Sequence, residues 1–280
     1  MRMPLRVVVI ILILLRLSSL AYSAKYCPVD GAVYSDSDQY CGKHGVKLTS
    51  QKPDDLDAMQ RLADVDLRAK RFVLAIKRYE RIVKVAPKRT AVYANLGLAY
   101  GELNRYQQAV ENYERAIKTG SKEPQLFYNL AYSYEQLGKT EEAIRGYEKY
   151  VAINPTVPVL NILAGYYLKE KQYDSALKNY QKITELDPKK GAAYSDIAYV
   201  YKMKGDVDKE IDYYKLAVRY SEEDYASYQN LGAAYESREM YAEAYQSYVK
   251  AYELNPEATL AKVKIPQMRI RMLEKKYKEQ

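Results

Sequence analysis

Residues 113–147 read YERAIKTGSKEPQLFYNLAYSYEQLGKTEEAIRGY, a stretch that opens and closes on tyrosine. The frame recurs along the chain. Tyr79, Tyr113, Tyr147, Tyr180, Tyr214 and Tyr248 follow one another at intervals of 34, 34, 33, 34 and 34 residues. No single helix or strand has so long a period, so the repeated unit is a whole supersecondary element. A fixed period of this size predicts a solenoid whose units bury one another's apolar faces. Such an architecture offers a surface for holding a partner rather than a pocket for chemistry.

The rest of each unit falls into columns when the tyrosines are aligned. Four residues before each stands Ala75, Ala109, Ala143, Ala176 or Ala244, with Glu210 in the fifth unit. Further back come Leu62-Ala63, Leu96-Gly97, Leu130-Ala131, Leu163-Ala164, Ile197-Ala198 and Leu231-Gly232. A second aromatic follows four residues later at Tyr100, Tyr134, Tyr167, Tyr201 and Tyr235, while the first unit has Asp66. Residues four apart share one helix face, so each half of the unit reads as a helix. Connectors such as Leu137-Gly138-Lys139 and Lys204-Gly205-Asp206 supply the turn between the halves. Pro87, Pro155, Pro188 and Pro256 close four of the six units, because proline lacks the donor that continues a helix.

These columns resemble the tetratricopeptide repeat (TPR) family, in six tandem copies at 56–89, 90–123, 124–156, 157–190, 191–224 and 225–258. The resemblance implies an all-α fold, a right-handed superhelical solenoid of helix-turn-helix repeats whose first helices line a concave groove. Asp66 marks the first unit as a partial cap, and Glu210 implies looser packing in the fifth. The resemblance also places a partner. Asn95, Asn129 and Asn230 precede the Leu-Gly/Ala pair, where the family's asparagine bonds an extended peptide backbone, while Arg61, Ile162 and Asp196 interrupt the series. Tyr128, Tyr132 and Tyr199 would add flat contact area beside them. The competing reading is that these amides tie one repeat to the next. The lysine-asparagine clamp of the chaperone-tail-binding members is missing, with Gln60, Asp64, Ala94 and Leu98 at its positions.

The flanking segments add compartment and chemistry. Arg2 and Arg6 precede the apolar run Val7–Leu15, and Ala21-Tyr22-Ser23 offers a cleavage site, so residues 1–23 read as an export signal. Nine apolar residues fall short of the roughly 20 that span a bilayer. An uncleaved anchor is the alternative, and both place the chain outside the cytosol, in the periplasm or cell envelope. Segment 24–55 holds both cysteines and the only histidine as Cys27-Pro28-Val29-Asp30-Gly31 and Cys41-Gly42-Lys43-His44-Gly45. The two halves resemble a degenerate zinc ribbon with Cys27, Asp30, Cys41 and His44 as ligands. A Cys27–Cys41 disulfide, expected of an exported protein, is the alternative, and two thiols the third.

Segment 259–280 reads as a basic helix, with Ile265, Met268, Met272 and Leu273 at helical spacing. It reads as a cap on the last repeat, or as an amphipathic contact with anionic lipid or an acidic partner. The net charge of +8 falls to +5 without the three arginines of residues 1–23, and seven Lys/Arg against two Glu in 262–280 account for that remainder. A charge excess confined to one end argues against a nucleic-acid-binding face. With no glycine-rich phosphate loop and no second histidine, the chain reads as a scaffold and not an enzyme. The predicted function is thus an adaptor of the cell envelope that holds a protein or peptide in its groove. The alternative is a membrane-surface assembly factor, tethered at either end and regulated by metal or redox state.

Overall fold

The computed structural model describes residues 25–27, 33–35, 37–43, 45, 47–50 and 56–278. The expected signal over residues 1–23, together with Asp30 and His44, lies outside the described residues. The chain divides into two compact units, 1–146 and 147–280.

Unit 1 opens with a small β-segment. Strands β1 (Lys25–Tyr26) and β2 (Val33–Tyr34) pair antiparallel, and isolated bridges join Tyr26 to Thr49 and Tyr40 to Lys47. Then come helices α1 (Leu56–Arg68), α2 (Phe72–Val85), α3 (Thr90–Glu102), α4 (Tyr106–Lys118) and α5 (Pro124–Gln136), and the start of α6 (Thr140–Ile153). Unit 2 takes the end of α6 and then α7 (Val157–Lys169), α8 (Tyr173–Leu186), α9 (Gly191–Lys204) and α10 (Val207–Tyr220). It finishes with α11 (Tyr225–Ser237), α12 (Tyr241–Leu254) and α13 (Thr259–Lys278). The fold is therefore an all-α repeat solenoid, as the columns predict, with odd-numbered helices α1 to α11 opening the six pairs at residues 56, 90, 124, 157, 191 and 225.

The turn inside each pair is one motif used six times. Lys70, Asn104, Gly138, Lys171, Gly205 and Glu239 all hold positive φ, between 54° and 77°. In each case the next amide reaches back to the carbonyl five residues earlier, as in Arg105 N to Tyr100 O at 2.9 Å and Lys139 N to Tyr134 O at 2.9 Å. This is the Schellman closure of a helix, which needs one left-handed residue. Glycine fills that place in only two of the six turns, so four residues with a Cβ carry the strain.

The period-setting tyrosines are core residues. Tyr79, Tyr113, Tyr147, Tyr180, Tyr214 and Tyr248 are all buried, and the alanines four residues earlier are too. The small column opposite them is fitted to the ring. A Cβ on Gly97 would lie 2.6 Å from the Tyr113 ring, and one on Gly232 3.0 Å from that of Tyr248. Where the column carries Ala131, the relief moves across the interface to Gly146, whose own Cβ would stand 2.7 Å from that of Ala131. Asp66, the exception among the aromatics, is buried and paired with Arg78 and Arg71, the latter at 2.7 Å. An ion pair thus replaces the ring in the first repeat. Glu210 is likewise buried at its alanine position, and burial raises its carboxyl above the usual range.

Candidate partner-binding faces

In unit 1 the first helices of neighbouring pairs touch, α1 with α3 and α3 with α5, so their polar residues meet across repeats. Asn95 of α3 donates to Asp64 Oδ1 of α1 at 3.0 Å. The buried Tyr79 hydroxyl donates to the same oxygen at 2.5 Å and also meets the Asn95 amide. Burial, then the Asp64 carboxylate, holds that phenol well above its ordinary range. One repeat later the Asn129 amide meets the Tyr113 hydroxyl, while Asn129 Oδ1 accepts from Gln125 Nε2 at 2.9 Å. Both asparagines therefore bond within the solenoid through part of their amide, and both remain half-buried rather than enclosed. Tyr128 is half-buried on the same helix. Tyr132, 42% exposed, is propped edge-on against Tyr106 with centroids 6.2 Å apart.

Unit 2 arranges the equivalent positions differently. Asp196 of α9 stands where Asn95 and Asn129 stand in unit 1, and Tyr199, 46% exposed, lies one turn on. Burial pushes the Asp196 carboxyl up to about 6, against a smaller opposing pull from Lys190. Its charge in turn raises the Tyr180 phenol, already lifted by burial, to about 12, and adds to the burial that raises Tyr214. Asn230 is half-buried on α11. The Ser227 hydroxyl donates to Ser195 Oγ at 3.1 Å and so links α9 to α11. A cleft of about 800 Å³ opens elsewhere in this unit, between the end of α6 and α8. Leu160, Leu163 and Tyr167 floor it, and Glu148, Lys178, Lys182 and Glu185 are among its rim.

Sequence reasoning missed two features. Asp196 reads there as a gap in the asparagine series, yet it is a half-buried carboxylate poised near neutrality. The second set consists of latches between repeats: the Tyr100 hydroxyl donates to Glu80 at 2.6 Å, Tyr134 to Glu114, and Tyr167 to Glu148 at 2.5 Å. The signal was present, because Glu80, Glu114 and Glu148 each directly follow a period-setting tyrosine. Where Gln181 takes that place, Tyr201 stacks on Tyr213 instead, with centroids 5.4 Å apart.

The cysteine segment places Cys27 and Cys41, both fully buried, in one small cluster with Leu48 and Tyr34. The Tyr34 hydroxyl lies 3.2 Å from Cys41 Sγ. Gly45, with φ of 62°, donates its amide to Cys41 O at 2.7 Å and so closes a tight knuckle. Among the described residues, no three His, Cys, Asp or Glu side chains converge as a metal site requires.

Family comparisons agree with the geometry. A tetratricopeptide repeat model matches residues 94–158 and 163–224, and two further models of the repeat match 55–121 and 225–257. The chain belongs to the tetratricopeptide repeat family. Among curated proteins, this TPR chain is 31% identical over 109 residues to the uncharacterized protein ycf37 of Cyanophora paradoxa. That match takes in 38% of this chain and spans 63% of the relative's length. Among solved structures, YrrB, described as a TPR protein with an unusual peptide-binding site, superposes with a TM-score of 0.53 at 18% identity. The overlap covers 65% of this chain and 95% of YrrB. The C-terminal part of a TPR repeat-containing protein from Cytophaga hutchinsonii gives 0.54 at 16% identity, over 69% of this chain and 78% of that one. At such identities the likeness concerns the fold alone. The TPR scaffold supports a role in protein–protein interaction.

Proposed function

We propose that the chain is a non-enzymatic scaffold of the cell envelope that holds an extended peptide or protein segment against the first helices of its repeats. The observation that carries this reading is the pairing, in each unit, of half-buried polar groups with an exposed ring one turn away. In unit 1 these are Asn129 and Tyr132, and in unit 2 Asp196 and Tyr199. Amides and carboxylates can bond a strand's backbone or a basic side chain, and a propped tyrosine adds flat area at low entropic cost. YrrB, similar in fold, is described as a TPR protein with an unusual peptide-binding site, which supports peptide holding by a scaffold of this kind. Residues 1–23, with their leading arginines and short apolar run, support export, and a mature start at Ala24 is the expected product. By their sequence spacing, each three residues after a cysteine, Asp30 and His44 would complete a zinc-ligand set with Cys27 and Cys41, and a Cys27–Cys41 disulfide is the competing reading of that segment.

The test uses the double variants Tyr132→Ala with Tyr199→Ala and Asn129→Ala with Asn230→Ala, compared with the parent in capture from envelope extracts. Loss of the captured partner with an unchanged helical spectrum is expected for the tyrosine pair, whose rings face solvent. A partner retained by both variants removes these first-helix surfaces as binding sites.

A further inference from the structure

The last helix carries two apolar stripes, and the structure uses only one. Ala261, Ile265 and Met268 face inward, packing with Ala244, Tyr248, Ala251 and Ala258, and half-buried Met272 continues the stripe. Lys264 fixes the helix to Glu236 at 2.8 Å, and Lys275 donates to the Glu239 carbonyl at 3.2 Å. The second stripe, Val263, Pro266, Ile270, Leu273 and Tyr277, advances by 3, 4, 3 and 4 residues and lies wholly outside. At about 100° per residue it is centred roughly 150° from the buried one. Exposure runs from 50% at Val263 to 75% at Tyr277. A helix that only closes a solenoid turns a polar face to water. This one turns an apolar stripe outward and edges it with charge.

Lys262, Arg269 and Lys276 run along one side of that stripe at seven-residue intervals. Arg271 and Lys278 stand on the other side, beyond Gln267 and the single acid Glu274. We propose that the outward face of α13 rests on an anionic lipid surface. Long basic side chains on both edges can snorkel to phosphate while the apolar stripe enters the interface, and Tyr277 suits the headgroup level. A partner helix fits less well. The stripe spans two heptads, short of the three or four a coiled coil sustains, and Pro266 interrupts its seam. A second copy laid antiparallel would set Lys262, Arg269 and Lys276 against their own kind.

The absence of tryptophan from the chain gives a direct readout. Ile270→Trp in the full chain is the sole tryptophan and reports only its own surroundings. With vesicles of phosphatidylcholine and phosphatidylglycerol at low salt, its emission should shift to the blue. Phosphatidylcholine alone should leave it unmoved, and high salt should reverse the shift. Adding Arg269→Glu and Lys276→Glu, both solvent-facing, should weaken partitioning at least about tenfold while the helical spectrum and melting temperature hold. No shift with anionic vesicles overturns the proposal, as does a shift that survives the charge reversals. A shift that grows with protein concentration in the absence of lipid also overturns it and assigns the face to a second copy. Vesicle capture through residues 1–23 alone would leave this tryptophan unshifted, so it counts against the proposal too.

Discussion

At the scale of single residues, the most informative position is Asp196. Its carboxyl is held at about 6, well above its ordinary value of 3.8, because burial penalises the charged form more than Lys190 relieves it. Between pH values near 4 and near 6 the folded state therefore binds more protons than the unfolded chain. The contribution of Asp196 to stability should therefore fall as pH rises through that window and level off above it. Asp196→Asn removes the charge that must be buried. It should gain about 1–3 kcal/mol near neutrality and only about 0.5 kcal/mol near pH 4, read from urea unfolding at the two pH values. An equal effect at both would detach the substitution from ionisation. Sequence logic saw this residue only as a break in an asparagine column. Its environment is built by Tyr180 and Tyr214 from neighbouring helices, and a column alignment says nothing of desolvation.

The hairpin turn is the decisive device at the scale of the element. All six turns place one residue in the left-handed region, and four of those residues carry a side chain. Lys171 has φ of 57° and is exposed, so nothing but the backbone speaks for or against it. Lys171→Gly should stabilise by about 0.5–1 kcal/mol, the strain released being partly offset by the greater freedom of glycine in the unfolded chain. A lower melting temperature would show that the turn is not under strain. The last helix teaches the converse. Ile265, Met268, Met272 and Leu273 read as one apolar series in the sequence, yet the fold packs the first three and turns Leu273 outward. Helical spacing identifies apolar positions. It cannot choose between two stripes when both are present.

For the whole molecule, stability in a solenoid is a sum of repeats and their nearest-neighbour interfaces, so protection should follow local burial. A cluster of buried side chains in unit 1 runs from Met59 to Leu130 and takes in α3 and α4 on both sides. In unit 2, α13 beyond Met268 has no fully buried residue. Hydrogen exchange should thus be slowest in α3 and α4 and fastest in the last turns of α13, and uniform protection would refute a nearest-neighbour solenoid. The same locality explains what the sequence determined by itself. In a repeat fold each unit packs mainly on its sequence neighbours, so a period in the letters becomes a period in space, and the tyrosine, alanine and turn columns were legible without coordinates. Only the tertiary structure decided which amides are spent between repeats, as Asn95 is on Asp64. It alone showed which hydroxyls are latched to glutamates, which carboxylate is desolvated and which stripe of α13 faces water. Those outcomes depend on the angle at which one helix presents its side to the next, and that angle is set by packing rather than by spacing along the chain.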